Sequence, residues 1–385
     1  MRHYAETPEV APMTPQNELE WQVERSTRRA LLRRAAQLSG AGVVGAAALG
    51  AAPSIASAQR GAVDLSGTIT MMNYPGWMGK TTVADFKKAT GVSVKQVAGL
   101  TSGAAAAVAQ IAQNKDSYDM SLGAMAVAEQ LRQGKLLQTV DPAKIPNLKN
   151  VAKHFRDSFK WGPPTDFGKT GYGYRKDLIS ERPTSWADLW KLAPKYSGKI
   201  TMVDYDVDIL GLALKYKGFS VNATKQSQLE AARDALLEIK PHLQAFLPTD
   251  LAKPLLKGTA VIAVDYDYDI AIAQRKNKNI VWVTPEEGVG AYLDGWLAVA
   301  GSDKLDEVAA FMNFLLVPKN YAGFVNNIGS SYVMPAAERY IDSAIKANPS
   351  LRYSAAAVKT VEFEKFLGAD AAKRRARIWQ EVKNA

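Results

Sequence analysis

From Gly67 onward, short β-prone apolar runs alternate with segments whose apolar residues recur at helical spacing. TITMM (68–72) predicts a strand, followed by a helix around VADFKKAT, the strand VSVKQV, an Ala-rich helix over 103–113 and the strand YDMSL. The pattern resumes with the strand KITMVD, helices over 209–217 and 226–239, the strand AVIAVD, the helix IAIAQRK and the strand IVWVT. Alternation of this kind predicts βαβ units and parallel sheets. The chain then closes with predicted helices over 304–316, 318–327 and 359–383.

Two Gly-rich stretches with β-prone aromatics separate the two α/β sets: WGPPTDFGKTGYGYRKD (161–177) and PEEGVGAYLDGWLAVAG (285–301). They read as strands crossing between lobes. The expected fold class is α/β, with two lobes, each a mostly parallel sheet flanked by helices, and two crossing strands at the hinge. Residues 59–172 begin the first lobe, 173–290 form an inserted second lobe, and 291–385 return through the hinge and complete the first lobe with C-terminal helices. Two lobes joined in this way can close on a ligand by hinge bending.

Two strands of the second lobe end alike, in VDYDVD (203–208) and VDYDYD (264–269). Open parallel sheets present ligand groups beyond the carboxyl ends of their strands. The aspartates could cap the helices that follow. They could equally line an anionic pocket for a cation, since crowded carboxylates repel and a desolvated one needs a partner.

Composition narrows the picture. The 385 residues are 47% hydrophobic and 22% charged, as in ordinary globular proteins, and cysteine is absent, which excludes disulfides and thiolate chemistry. TRRALLR (27–33), a mild Gly/Ala-rich apolar run and PSIASA resemble a twin-arginine export signal over residues 1–58, with cleavage after Ala58. The apolar run, about 15 residues, is shorter than the ~20 needed to span a bilayer. Residues 1–58 hold six arginines and five glutamates, so the net charge of +10 changes only to +9 on their removal. The lysines are scattered rather than gathered in a stripe, which reads as a solvated basic surface and not as a nucleic-acid site.

Several chemistries fail on their spacing. Two GKT triplets, Gly79–Thr81 and Gly168–Thr170, lack the first glycine of a phosphate loop, having Tyr74 and Pro163 there. The aspartate runs lack the glycine and closing glutamate of a calcium loop, having Ile209 and Ile270, then Lys215 and Lys276. His154 and His242 are too few and too far apart in sequence for a zinc site or a Ser–His–Asp triad, and G-x-S-x-G is absent. No cofactor, metal site or catalytic residue is expected.

TSWADLW (184–190), MMNYPGW (71–77) and AYLDGWLAVAGSDKLDEVAAFMNFLLVP (291–318) resemble the spermidine/putrescine-binding proteins of ABC importers, collinearly over about Gly67 to Lys383. TSWADLW is fairly specific to that group, whereas the FMNFLL helix occurs in many solute-binding proteins. The resemblance implies a type II-like, periplasmic-binding-protein fold and a monomer that is not an enzyme. Such a protein captures a polyamine or similar organic cation and delivers it to permease subunits in the inner membrane.

The resemblance also implies ligand positions. The Asn-aromatic pair matches Asn73 and Tyr74, with Trp77 as the next aromatic. The acidic group falls on Asp204, Asp206 and Asp208, with Asp208 the best match, and the tryptophan after the next strand matches Tyr266, beside Asp267. The hinge pattern aromatic-x-Asp is Tyr292 and Asp294, and Glu364 stands in the last helical region. One departure is GAMA (123–126), where the family has a hydroxyl-rich turn.

Carboxylates at fixed spacing with aromatic faces between them suit ammonium groups separated by methylenes. Two other readings remain at this point. An amino-acid-like or aminophosphonate ligand would need a cationic clamp, for which Arg175 on the first crossing is the candidate, although it also reads as an exposed hinge residue. A metal-dependent enzyme would use the D-x-D pairs.

Overall fold

The computed structural model describes residues 65–385 apart from 101–103, 249 and 352–360, and leaves out the side chains of 104–106. The expected export signal, residues 1–58, lies outside the described residues. The first lobe starts with β1 (Thr68–Asn73), β2 (Ser93–Ala98) and β3 (Met120–Ala124), a parallel set with β1 in the middle. Helices Thr82–Thr90 and Ala104–Gln113 connect them. Ile69, Met71 and Met72 on β1 are fully buried, as expected for a central parallel strand covered on both faces. β4 (Leu137–Gln138) is a short addition.

β5 (Pro164–Arg175) is the first crossing. Its first half pairs with β10 (Val289–Val299), and its second half pairs with β8 (Ile262–Tyr266) and β9 (Ile280–Val283). In the second lobe β6 (Ile200–Val203) lies parallel between β7 (Leu243–Leu247) and β8. β10 returns antiparallel to β3 and β5, and β11 (Val361–Phe363) joins its start in parallel. The strand order β2-β1-β3-β10-β5-β8-β6-β7 thus passes from one lobe to the other through the crossing strands.

The buried apolar residues fall into two large clusters. One collects residues from 69 to 167 and from 293 to 351, together with Ala271, so the first lobe is built from both sides of the insertion. The other gathers residues from 172 to 289, but also Ile378, Trp379 and Val382. The helix that carries those three residues, Ala369–Asn384, lays its apolar face on helices Asp206–Tyr216 and Gln226–Ile239. The expected completion of the first lobe by all C-terminal helices is therefore corrected: the last helix crosses back and belongs to the second lobe's core. Its start is also later than expected. Val361–Phe363 is extended because it pairs with β10, and Gly368, at φ 87°, precedes the helix in a conformation that other residues rarely adopt.

Candidate ligand-binding site

Both aspartate runs sit where a strand turns directly into a helix. β6 ends at Val203 and a helix begins at Asp206; β8 ends at Tyr266 and a helix begins at Asp267. The residues in the two capping positions are Tyr205 and Tyr266, and neither helix has a side-chain cap. The aspartates occupy the first turns instead, where the helix dipole favours negative charge.

Asp208 is drawn into the hinge. It is 5% exposed and accepts the Thr170 hydroxyl from β5 and the Tyr266 hydroxyl at 2.9 Å. Burial pushes its carboxyl up to about 6 against those two hydrogen bonds, with the charge of Asp206 adding to the rise. Asp294 on β10 is also 5% exposed, and among the described residues it has no hydrogen-bond or ion-pair partner. Burial, then the charge of Asp166, holds it well above the ordinary carboxylate range. Glu364 stands beside Gly290 and is raised by burial and then by Asp208, Asp206 and Asp294, while Arg375 pulls it back.

Five aromatic rings run between these acids. Tyr74 and Trp77 meet edge to face at 5.7 Å, and Trp77 meets Tyr268 at 5.5 Å. Tyr268 stacks on Tyr266 at 5.7 Å, and Tyr266 meets Tyr292 edge to face at 6.0 Å. The row starts on the first lobe, crosses to the second and ends on the hinge. Burial raises the Tyr74 phenol, and the negative charges of Asp294, Asp166 and Asp208 add to it, which places acids from both lobes and the hinge around one ring. Such a set can hold cationic nitrogens through charge-assisted hydrogen bonds while ring faces cover the carbon chain.

Tyr74, Trp77, Asp206, Asp208, Tyr266, Tyr292, Asp294 and Glu364 are thus brought together, and four other expected positions are not free. Asn73 donates to the Trp77 carbonyl at 2.8 Å and to Gln96 at 3.0 Å, while its oxygen accepts the Tyr74 amide at 2.9 Å. It shapes the turn that carries the two rings. Asp204 accepts from Trp379 at 3.2 Å and Lys383 at 3.4 Å, so it anchors the last helix. Asp267 is fully buried against Lys169 of β5, at 3.3 Å. Arg175 is held by both oxygens of Asp177, at 2.8 and 2.7 Å, and by the Leu255 carbonyl at 3.0 Å, which leaves it unsuited to clamp an anion.

The structure adds residues that the pattern did not single out. Asp166, fully buried on β5, is pushed up to about 7 by burial, with Asp267 adding to the rise and the Thr165 hydroxyl opposing it. Its signal was the one acid within β5. Tyr268 repeats the Tyr266 position two residues on. Arg375, buried on the last helix, donates to the Val221 carbonyl at 2.9 Å and faces the charges of Glu364, Asp206 and Asp208. Ala124 of the GAMA turn pairs with Asp294 across the sheet and brings no polar side chain. Among the described residues no group of three or more His, Asp and Glu side chains is arranged to hold a metal ion. Two surface cavities, about 660 Å³ beside Tyr332 and about 380 Å³ beside Arg374, lie away from these acids.

Comparison with known proteins bears on the family and the fold. A family model for bacterial extracellular solute-binding proteins matches residues 81–352. The chain is 25% identical over 313 residues to the spermidine/putrescine-binding periplasmic protein of Escherichia coli K12, covering 80% of this chain and 89% of that one. It is 26% identical over 330 residues to the putrescine/cadaverine-binding protein of Pseudomonas aeruginosa, covering 81% and 92%. In fold it resembles a spermidine/putrescine ABC transporter substrate-binding protein from Streptococcus pneumoniae, with a TM-score of 0.72, 23% identity and coverage of 83% and 99%.

Proposed function

The chain belongs to the bacterial extracellular solute-binding protein family, and from that premise we propose that it is the substrate-capturing component of an ABC importer for a polyamine or similar organic cation. One observation carries the ligand class. Asp166, Asp208 and Asp294 are buried carboxylates that form no ion pair with any described lysine or arginine, and tyrosines lie between them. A buried carboxylate without a counter-ion is costly. A flexible dication or trication that supplied that counter-ion would draw both lobes onto itself.

In this reading Asp208 and Asp294 each take an ammonium, with Asp206 and Glu364 adding negative potential. Tyr74, Trp77, Tyr266 and Tyr292 cover the methylenes. The closed protein, a monomer without catalytic activity, then docks on permease subunits in the inner membrane. It reaches the periplasm by the twin-arginine route; changing Arg28 and Arg29 to lysine is expected to leave precursor in the cytoplasm, and normal export of that variant would refute the route.

A thermal-shift screen of polyamines, amino acids and phosphonates tests the ligand class. A ligand at 100 times its dissociation constant stabilises the folded state by about 2.7 kcal/mol, so putrescine, cadaverine or spermidine should raise the melting point. Stabilisation by phosphonates or amino acids alone would overturn the reading.

A further inference from the structure

We propose that Asp166 and Asp294 together hold one unsubstituted primary ammonium group at the hinge end of the cleft, with the Tyr292 hydroxyl as the third acceptor. The inference rests on the polyamine reading above and specifies the chemical form of the ligand's end. β5 and β10 pair Phe167 with Leu293 and Pro164 with Gly295, and the register shifts between Leu293 and Gly295. Asp166 and Asp294 are therefore neighbours across that irregular step. No hydrogen bond joins the two carboxyls, so they do not form a self-sufficient acid pair.

The available acceptors converge there. Asp166 is fully buried; its Oδ1 accepts the Thr165 hydroxyl at 2.8 Å, and its Oδ2 is inaccessible and makes no full hydrogen bond among the described residues, with the Trp77 indole N–H near the carboxyl and opposing its rise. The Tyr292 hydroxyl is likewise inaccessible and has no partner among the described residues. Its ring lies over Gly168, where even a methyl group would come within 2.3 Å of the hydroxyl, so the phenol is held in place. On the other flank Asp294 pairs with Ala124, which contributes no polar group. Polarity has been placed on the β5 side of Asp294 and withheld from the β3 side.

A primary ammonium has three N–H donors, which matches one oxygen from each carboxylate and the phenol oxygen. A secondary ammonium would leave one acceptor unpaired, and a quaternary one would leave all three. Charge gives the same restriction. One ammonium balances one carboxylate, and both carboxyls are raised by burial without it, so binding favours their ionisation and releases protons near neutral pH. The other groups facing Asp166 do not supply the missing charge. Asp267 is already paired with Lys169, and Tyr74, Tyr292 and Tyr321 are phenols held neutral by burial.

The test is calorimetry of the protein with putrescine and with its fully N-methylated, bis-quaternary analogue, repeated in buffers of different ionisation enthalpy to count protons. The expected result is putrescine binding with proton release, binding of the methylated diamine weakened about 100-fold or more, and Asp166→Asn weakened about 10- to 100-fold with less proton release. The methylation series uses the unaltered protein, so it decides the matter even if Asp166→Asn does not fold. Equal affinity for the two diamines, or an Asp166→Asn protein with unchanged affinity and proton release, would overturn the inference and leave the polyamine reading standing. Failure of the unaltered protein to bind any diamine would overturn both.

Discussion

Lys169 of the first crossing strand and Asp267 at the start of a second-lobe helix form an ion pair at 3.3 Å, with side chains 2% and 0% exposed. Lys169 also donates to the Ser350 carbonyl at 2.7 Å, so one ammonium ties the hinge to the second lobe and to a segment of the first. Removing one member of a buried pair leaves the other charge unmatched, at a cost of about 3–5 kcal/mol. Lys169→Met is expected to lose stability on that scale, and pairing it with Asp267→Leu should recover most of the loss. Denaturant unfolding of the single and double variants measures both. A stable single variant with weakened ligand binding would return Asp267 to the ligand set.

Asp294 and Asp204 should behave oppositely. Asp294→Asn keeps the shape and removes a carboxylate that has no counter-ion among the described residues, so ligand-free stability should hold or rise. Affinity should fall by about 2–4 kcal/mol. Asp204→Asn weakens the anchor to Trp379 and Lys383, lowering the melting point and leaving affinity unchanged. Melting and calorimetry on the two proteins would show the reversed pattern if the roles were exchanged.

The buried acids also predict opposite pH trends for stability and binding. Asp166, at about 7, and Asp208, at about 6, stay protonated in the folded chain at pH values where the unfolded chain, with its ordinary value near ~4, has already ionised. The folded state then holds more protons, so these groups make ligand-free stability fall as pH rises from about 4 towards 7. Cation affinity should rise over the upper part of the same range, because the ligand favours the ionised acids. Glu129 and Glu181, held near 2 by Arg132 and Lys195, change stability only at lower pH. Melting points that rise from pH 5.5 to 8 without ligand, or affinity that falls over that range, would contradict the scheme.

Ligand should also compact the protein, because contacts from both lobes favour the closed state. Trp77 of the first lobe already meets Tyr268 of the second. Small-angle scattering is expected to show a smaller radius of gyration at saturating ligand. An unchanged radius with an open ligand-free envelope would argue against hinge closure.

Much of the fold was legible because its strands are continuous apolar runs ending in turn residues. The α/β alternation follows from that pattern, and helix Gln226–Ile239 matches its expected span. β7, β4 and β11 were not legible. They are short and only partly buried, and their extended form comes from the strand each pairs with. Of the candidate site, Asp208, Tyr266, Tyr292 and Asp294 were expected to lie together and do, while the pairing of Asp267 with Lys169 could not be foreseen. That pairing joins residues 98 positions apart, and no local signal records which of several aspartates a buried lysine will choose.

The returning last helix has a consequence for how the chain is made. β1 to β3 wait for β10, more than 160 residues later, and the second lobe's core waits for Ile378, Trp379 and Val382, which follow the rest of that lobe in the chain. Neither core can be finished when its own first strands emerge. Until helix Ala369–Asn384 has been made, apolar surface on helices Asp206–Tyr216 and Gln226–Ile239 stays uncovered, a condition that exposes nascent chains to aggregation and gives chaperones a reason to attend.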